Sequence, residues 1–193
     1  MARQRSRRSF GKLGRRAMHR RYEVAAEAGD ADAMLFLATV RARDDPEASR
    51  VWFRRSAEAG NVHAMYIVGL LLEPREADAS RSWLERAAEH GHVDAMIKLG
   101  VLAQEVGKKG EARQRYARAA DRGSVIAMFN LGLLLEGSDR DAARGWYEKA
   151  VDGGDVDAMF NLGRLIEGDE PDAARELWER AAAAGQPEAQ ERL

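Results

Sequence analysis

The sequence predicts an all-α fold, an αα-superhelix or solenoid of about five and a half two-helix repeats with a 31-residue period. Three observations predict it. The hexapeptide AMFNLG occurs at Ala127–Gly132 and again at Ala158–Gly163, 31 residues later. Six glycines, Gly29, Gly60, Gly91, Gly123, Gly154 and Gly185, recur at intervals of 31, 31, 32, 31 and 31 residues. Around each of them the residue types repeat. Ala33, Ala64, Ala95, Ala127, Ala158 and Ala189 stand four places on, and Met follows in five of the six copies. Such self-similarity is the signature of repeat architectures, in which each unit buries its apolar face only against its neighbours.

The elements follow in chain order. Before Gly29, residues Met18, Tyr22, Ala25 and Ala26 fall at helical spacing and form half a unit, with Arg15, Arg16, His19 and Arg20 on the other side. Each framing glycine is suited to end a helix in the left-handed conformation. The next residue is Asp30, Asn61, His92, Ser124, Asp155 or Gln186, and four of these are good N-caps, so the next helix starts at once. The second helix of a unit is expected to start at Asp45-Pro46, Glu73-Pro74, Ser138-Asp139 or Glu170-Pro171, since proline is accepted in a first turn. The one extra residue of the 32-residue interval is assigned to the inter-helix stretch 106–110, where an insertion is tolerated. Tyr22, Trp52, Trp83, Tyr116, Trp146 and Trp178 precede the framing glycines, and all four tryptophans are expected in the core. Pro187–Leu193 begins a further first helix whose polar residues cap the array.

Composition narrows the function. Without cysteine the chain has no disulfide and no thiolate metal site. No apolar run is as long as a membrane span, and no apolar stretch follows the basic N-terminus, so no secretory signal is expected. Residues 1–21 hold nine Lys/Arg and no Asp/Glu, although the whole chain is at −1. Two regions are therefore expected, a basic, disordered arm at 1–13 and the solenoid at 14–193. Arginine far outnumbers lysine, which points to a GC-rich bacterial genome, and the cytoplasm is the expected compartment. No phosphate-cradling loop, zinc-protease helix or nucleophile elbow occurs. His90, His92 and Asp94 have a metal-like spacing, but His92 occupies an N-cap slot and Asp94 a first turn, so they are read as structural. No metal, cofactor or catalytic residue is expected.

The pattern A-x-[YF]-N-L-G, followed by W-[YLF]-x-x-A-A-x-x-G, resembles the SEL-like (Sel-one-like) repeats, relatives of the tetratricopeptide repeats. AMFNLG, WYEKAVDGG and WLERAAEHG carry the likeness, over about residues 15–193. The Gly-rich, Asp-containing link of the family is shortened here. The resemblance implies a non-enzymatic scaffold or adaptor that binds a peptide or protein segment in the concave groove of the superhelix.

A helical wheel locates that groove. In the fourth unit Ala127, Met128, Leu131, Gly132, Leu134 and Leu135 form the core face, and Ile126, Phe129, Asn130, Leu133 and Glu136 the opposite one. The opposite face of an amphipathic helix should be polar. Here it offers Tyr66/Leu70, Ile97/Val101, Phe129/Leu133 and Phe160/Arg164, each pair four apart. Two readings stand side by side: burial between neighbouring copies, which the family motif favours for Phe129 and Phe160, or an exposed partner stripe, for which Leu70, Val101 and Leu133 are the better candidates. Asn130 and Asn161 can hold a peptide backbone or bond within the array. Glu73, Glu136 and Glu167 form an acidic column at helix C-termini, where the dipole does not call for acids, and Asp32, Asp94 and Asp157 another in first turns, where it does. A basic partner segment fits, including the protein's own arm. The alternative function is a nucleic-acid-associated adaptor, with Arg3, Arg5, Arg7, Arg8, Arg15 and Arg16 contacting phosphates or an acidic surface.

Overall fold

A computed structural model describes residues 17–73 and 76–193. The described residues are helical, without strands. Helix α1 covers 17–27, and then come α2 (Ala31–Arg41), α3 (Pro46–Glu58), α4 (Val62–Leu72), α5 (Ala77–Glu89), α6 (Val93–Glu105), α7 (Lys109–Ala120), α8 (Val125–Leu135), α9 (Arg140–Asp152), α10 (Val156–Ile166), α11 (Pro171–Ala183) and the short α12 (Pro187–Gln190). The 31-residue helix pairs have the architecture of a helical solenoid. They fall into two compact units, one ending at Ala95 and the other beginning at Met96.

One turn is used six times. Each framing glycine has a positive φ, from +84° at Gly123 to +99° at Gly29, where any other residue would be strained. The next N–H reaches back to close the ended helix, as from Asp30 to the Ala25 carbonyl (3.0 Å) and from Asn61 to that of Ser56 (3.0 Å). The same residue then caps the helix that follows. Asp30, Asn61, Ser124 and Asp155 accept the N–H of Ala33, Ala64, Ala127 and Ala158 at 2.7 to 3.3 Å. Those alanines are buried.

Within a repeat, the glycine of a first helix faces the large residue of its second helix. A Cβ on Gly132 would lie 2.5 Å from the Tyr147 ring, and one on Gly163 2.5 Å from Trp178. Gly100 faces Tyr116 in the same way, and Gly69 faces Leu84. The core position is therefore seven residues before each framing glycine from Gly60 on: Phe53, Leu84, Tyr116, Tyr147 and Trp178, all buried, whereas Tyr22, seven before Gly29, is partly buried. This corrects the expectation for the tryptophans. Trp52, Trp83 and Trp146 stand one residue earlier, are only partly buried, and lie under the cations of Arg55, Arg86 and Lys149 at 4.4, 4.1 and 4.0 Å. A shift of one residue turns a helical side chain by about 100°, out of the core and onto its margin.

One helix start and the place of the extra residue also differ from expectation. Helix α5 begins at Ala77, after Glu76, whereas Glu73 closes α4; Pro74 lies outside the described residues. The extra residue of the longer interval was expected between helices at 106–110 but lies in α6, which has 13 residues against 11 in α2, α4, α8 and α10, while the turn after it, 106–108, is one residue shorter than the other links within repeats and Lys109 already belongs to α7.

Candidate functional site

The apolar stripe falls in both units, and each part is described by itself. In the first unit Tyr66 is partly buried and stacks on His92, ring centroids 4.5 Å apart, while Leu70 is exposed. Glu73 has an interaction partner within the protein. In the second unit Phe129 and Phe160 pack against the core of α9 to α11, as expected of residues belonging to the repeat motif. Ile97 and Val101 are partly buried, and Leu133 is exposed. Arg3, Arg5, Arg7, Arg8, Arg15 and Arg16 lie outside the described residues.

Much of the acidic fringe is engaged by the protein's own side chains. Glu136 accepts from the Tyr147 hydroxyl at 2.8 Å and from Arg164 at 2.8 Å. Glu167 pairs with Arg192 at 3.3 Å. The aspartates do more than suit a helix dipole. Asp32 accepts the Asn61 amide at 2.7 Å, and Asp157 that of Gln186 at 2.9 Å. Asn61, which caps its helix, and Gln186, in the N-cap position of α12, thus tie one repeat to the repeat before.

The third such tie was not foreseen. His92 caps α6 by accepting the Ala95 N–H at its Nδ1 (3.3 Å), and its Nε2 meets Nδ1 of His63 at 3.0 Å. With Nδ1 accepting, Nε2 carries the proton and donates to His63. Burial first, and then the neighbouring imidazole, push the His92 pKa below its usual value, against a raising influence of Asp94. Sequence spacing pointed to His90 and Asp94 as companions, because both are near in the chain. The partner is instead 29 residues away, in the preceding repeat, the same separation as in the two ties before it, so the repeat register could have found it. Among the described residues no group of three His, Cys, Asp or Glu side chains is placed to hold a metal.

Three of the expected site residues do meet. Val101 of α6 and Asn130 and Leu133 of α8 line a cleft of about 390 Å³ with Gln104, Glu105 and Tyr116. The Tyr116 hydroxyl donates to Gln104 at 3.2 Å, and burial raises its pKa, with Glu105 adding to the effect. Asn161, one period after Asn130, donates to the Asp157 carbonyl of its own helix at 3.0 Å, whereas the Asn130 amide has no hydrogen-bond partner among the described residues. One repeat further on, Arg164 takes the place of Leu133 and Glu136 that of Gln104, and their ion pair occupies the corresponding space. Two neutral residues, Leu133 and Gln104, leave the first cleft open.

The repeat register agrees with known proteins. The Sel1 repeat family model matches residues 31–61, 62–92, 125–155 and 156–186, and the chain belongs to that family. Between these matches lies the copy with the longer interval. No curated protein matches the chain significantly. Among crystal structures, a protective antigen present in uropathogenic Escherichia coli strains displaying an SLR fold superposes with a TM-score of 0.76 at 29% identity, over 89% of this chain and 42% of that one. This chain thus spans less than half the length of that antigen. A Sel1 repeat protein from Oxalobacter formigenes gives 0.73 at 24% identity, over 82% of this chain and 73% of that one. An immunity protein from Pseudomonas aeruginosa shares the fold at 22% identity and a TM-score of 0.56, over 81% of this chain and 64% of that one. Sel1 repeats are in general protein–protein interaction scaffolds and typically non-catalytic. Among the described residues no helix is long and apolar enough to cross a membrane.

Proposed function

We propose that the protein is a non-enzymatic adaptor that holds a peptide or protein segment in the cleft of Val101, Asn130 and Leu133. The open Asn130 amide beside the exposed Leu133 carries this reading. An amide can donate to and accept from a peptide backbone, and Val101 and Leu133 offer apolar surface to a neighbouring aliphatic side chain. Glu105 at the rim, exposed, favours a basic residue in the partner. Apolar surface from Val101 and Leu133 with a few convergent polar groups, Asn130, Gln104 and Glu105 among them, is the usual form of a recognition site.

The test is site-specific photo-crosslinking. A benzophenone side chain at position 133 is expected to capture a discrete partner, whereas one at exposed Glu179 is not. Leu133→Asp, placed in a chain with the photo-crosslinker at Val101, should reduce capture at least tenfold with an unchanged circular-dichroism melt. About 1.4 kcal/mol separates each decade of affinity, and burying one leucine contributes about that much. Equal capture at positions 133 and 179, or capture indifferent to Leu133→Asp, overturns the proposal.

A further inference from the structure

The first unit contains a second opening, between α3 and α4, of about 240 Å³. Its lining is Arg50, Val51, Arg54, Val68, Leu71 and Leu72. Val51 and Leu71 are 58% and 48% exposed, unusually bare for two aliphatic side chains sharing one depression.

The second unit shows how the same place is filled when it is closed. Between α9 and α10 only about 140 Å³ remains. Arg140 crosses it to the Leu165 carbonyl and to Asp169 (3.0 Å). Arg144 donates to Glu148 at 2.8 Å and to Glu170 at 2.5 Å. In the first unit several positions differ, Arg75 standing in place of Asp169 in the sequence, and three differences bear on the cleft. Pro46 stands in place of Arg140 and has no side chain to bond across the cleft. Val51 stands in place of Gly145, adding an apolar group. Arg54 stands in place of Glu148, so Arg50, the counterpart of Arg144, faces a second cation where its carboxylate would be.

Arg50 accordingly turns to Glu47 on its own helix. Arg54 is exposed and has no carboxylate partner among the described residues. Two guanidinium groups four residues apart lie on one helical face and repel each other. Both flank an apolar floor. Of the two acids that engage Arg144, Glu170 has a counterpart in Glu76 and the one at Glu148 is missing, and an arginine fork binds a carboxylate with two parallel hydrogen bonds.

We infer that the α3–α4 cleft is a docking site for an acidic-aliphatic peptide segment of another protein, whose leucine-like side chain covers Val51 and Leu71 and whose carboxylate lies between Arg50 and Arg54. The partner supplies the charge that Glu148 supplies within the second unit. This site is separate from the Val101–Leu133 cleft and opposite to it in the charge it favours.

A series of fluorescein-labelled synthetic peptides tests this, each with one leucine flanked by no glutamate, one glutamate or two. Affinity, read by anisotropy, should rise at least tenfold across the series and fall as salt is added. Amide and methyl chemical-shift changes on titration should centre on Val51, Arg54 and Leu71. Arg54→Glu, an exposed substitution that restores the residue type of Glu148, should weaken the two-glutamate peptide at least tenfold and leave the circular-dichroism melt unchanged. Leu133→Asp should leave it alone. No saturable binding by any peptide, equal binding across the series, shifts centred elsewhere, or indifference to Arg54→Glu each overturns the inference.

Discussion

Replacing Gly132 by alanine sets two effects against each other. In an isolated helix the change is favourable by about 1 kcal/mol, because alanine loses less backbone entropy than glycine. Here the new methyl group would lie 2.5 Å from two carbons of the Tyr147 ring and 3.0 Å from a third. The ring cannot yield easily. It is completely buried, and its hydroxyl is tied to Glu136 at 2.8 Å. Overpacking of this kind costs about 1–3 kcal/mol, and loosening the charge-assisted hydrogen bond adds about 1 kcal/mol or more. The net expectation is destabilisation by about 1–3 kcal/mol, read from urea denaturation followed by circular dichroism. A second background isolates the cause. Tyr147→Ala removes the ring, and in that background Gly132→Ala should stabilise by up to about 1 kcal/mol, because only the helix preference remains. The same sign in both backgrounds would refute the contact as the reason for the repeated glycine.

Other outcomes follow from the ties between repeats. Asn61→Ala removes both the cap on Ala64 and the bond to Asp32, so it should cost about 1–2 kcal/mol, whereas Asn61→Ser keeps the cap and should cost less. The His92 pKa is depressed in the folded state, so between that value and the ordinary value of about 6.5 the unfolded chain binds more protons. The stability it contributes is therefore full above pH 6.5 or so and is lost as pH falls towards the folded pKa, where protonation of Nδ1 also breaks the cap on Ala95. Urea midpoints between pH 7.5 and 5 should show this slope, and His92→Asn, which caps as Asn61 does, should flatten it. Glu136→Ala should cost about 1–3 kcal/mol by leaving the buried Tyr147 hydroxyl without its acceptor, while Arg164→Ala, which removes only a surface ion pair, should cost less than about 1 kcal/mol in the same assay. Burial and the bond to Glu136 also raise the Tyr147 pKa, outweighing Arg164, so its phenol should ionise later than an exposed tyrosine in an ultraviolet titration.

What the sequence by itself determined is whatever the repeat period and local chemistry control. The left-handed turn at Gly60, the cap by Asn61 and the buried alanine at Ala64 depend on residues within a few places of one another, and the period shows the turn and the alanine six times and the cap five times. The separation of Leu133 from the core face of α8 was likewise visible on a helical wheel. Tertiary structure decided what depends on neighbours a full repeat away. Trp146 and Tyr147 are adjacent in the chain and nearly equal in apolar size, so pattern alone does not say which one meets Gly132. His63 and His92 look unrelated until stacking brings their rings together. The acids of the column at Glu136 and Glu167 looked available to a partner, but arginines from later positions already engage them. The exceptions matter most for function. Gln104 and Arg54 interrupt columns that hold mostly glutamate, and Leu133 and Pro46 stand where Arg164 and Arg140 carry ion pairs. A break in a column is visible in the sequence, but only the packed helices show that it leaves a space.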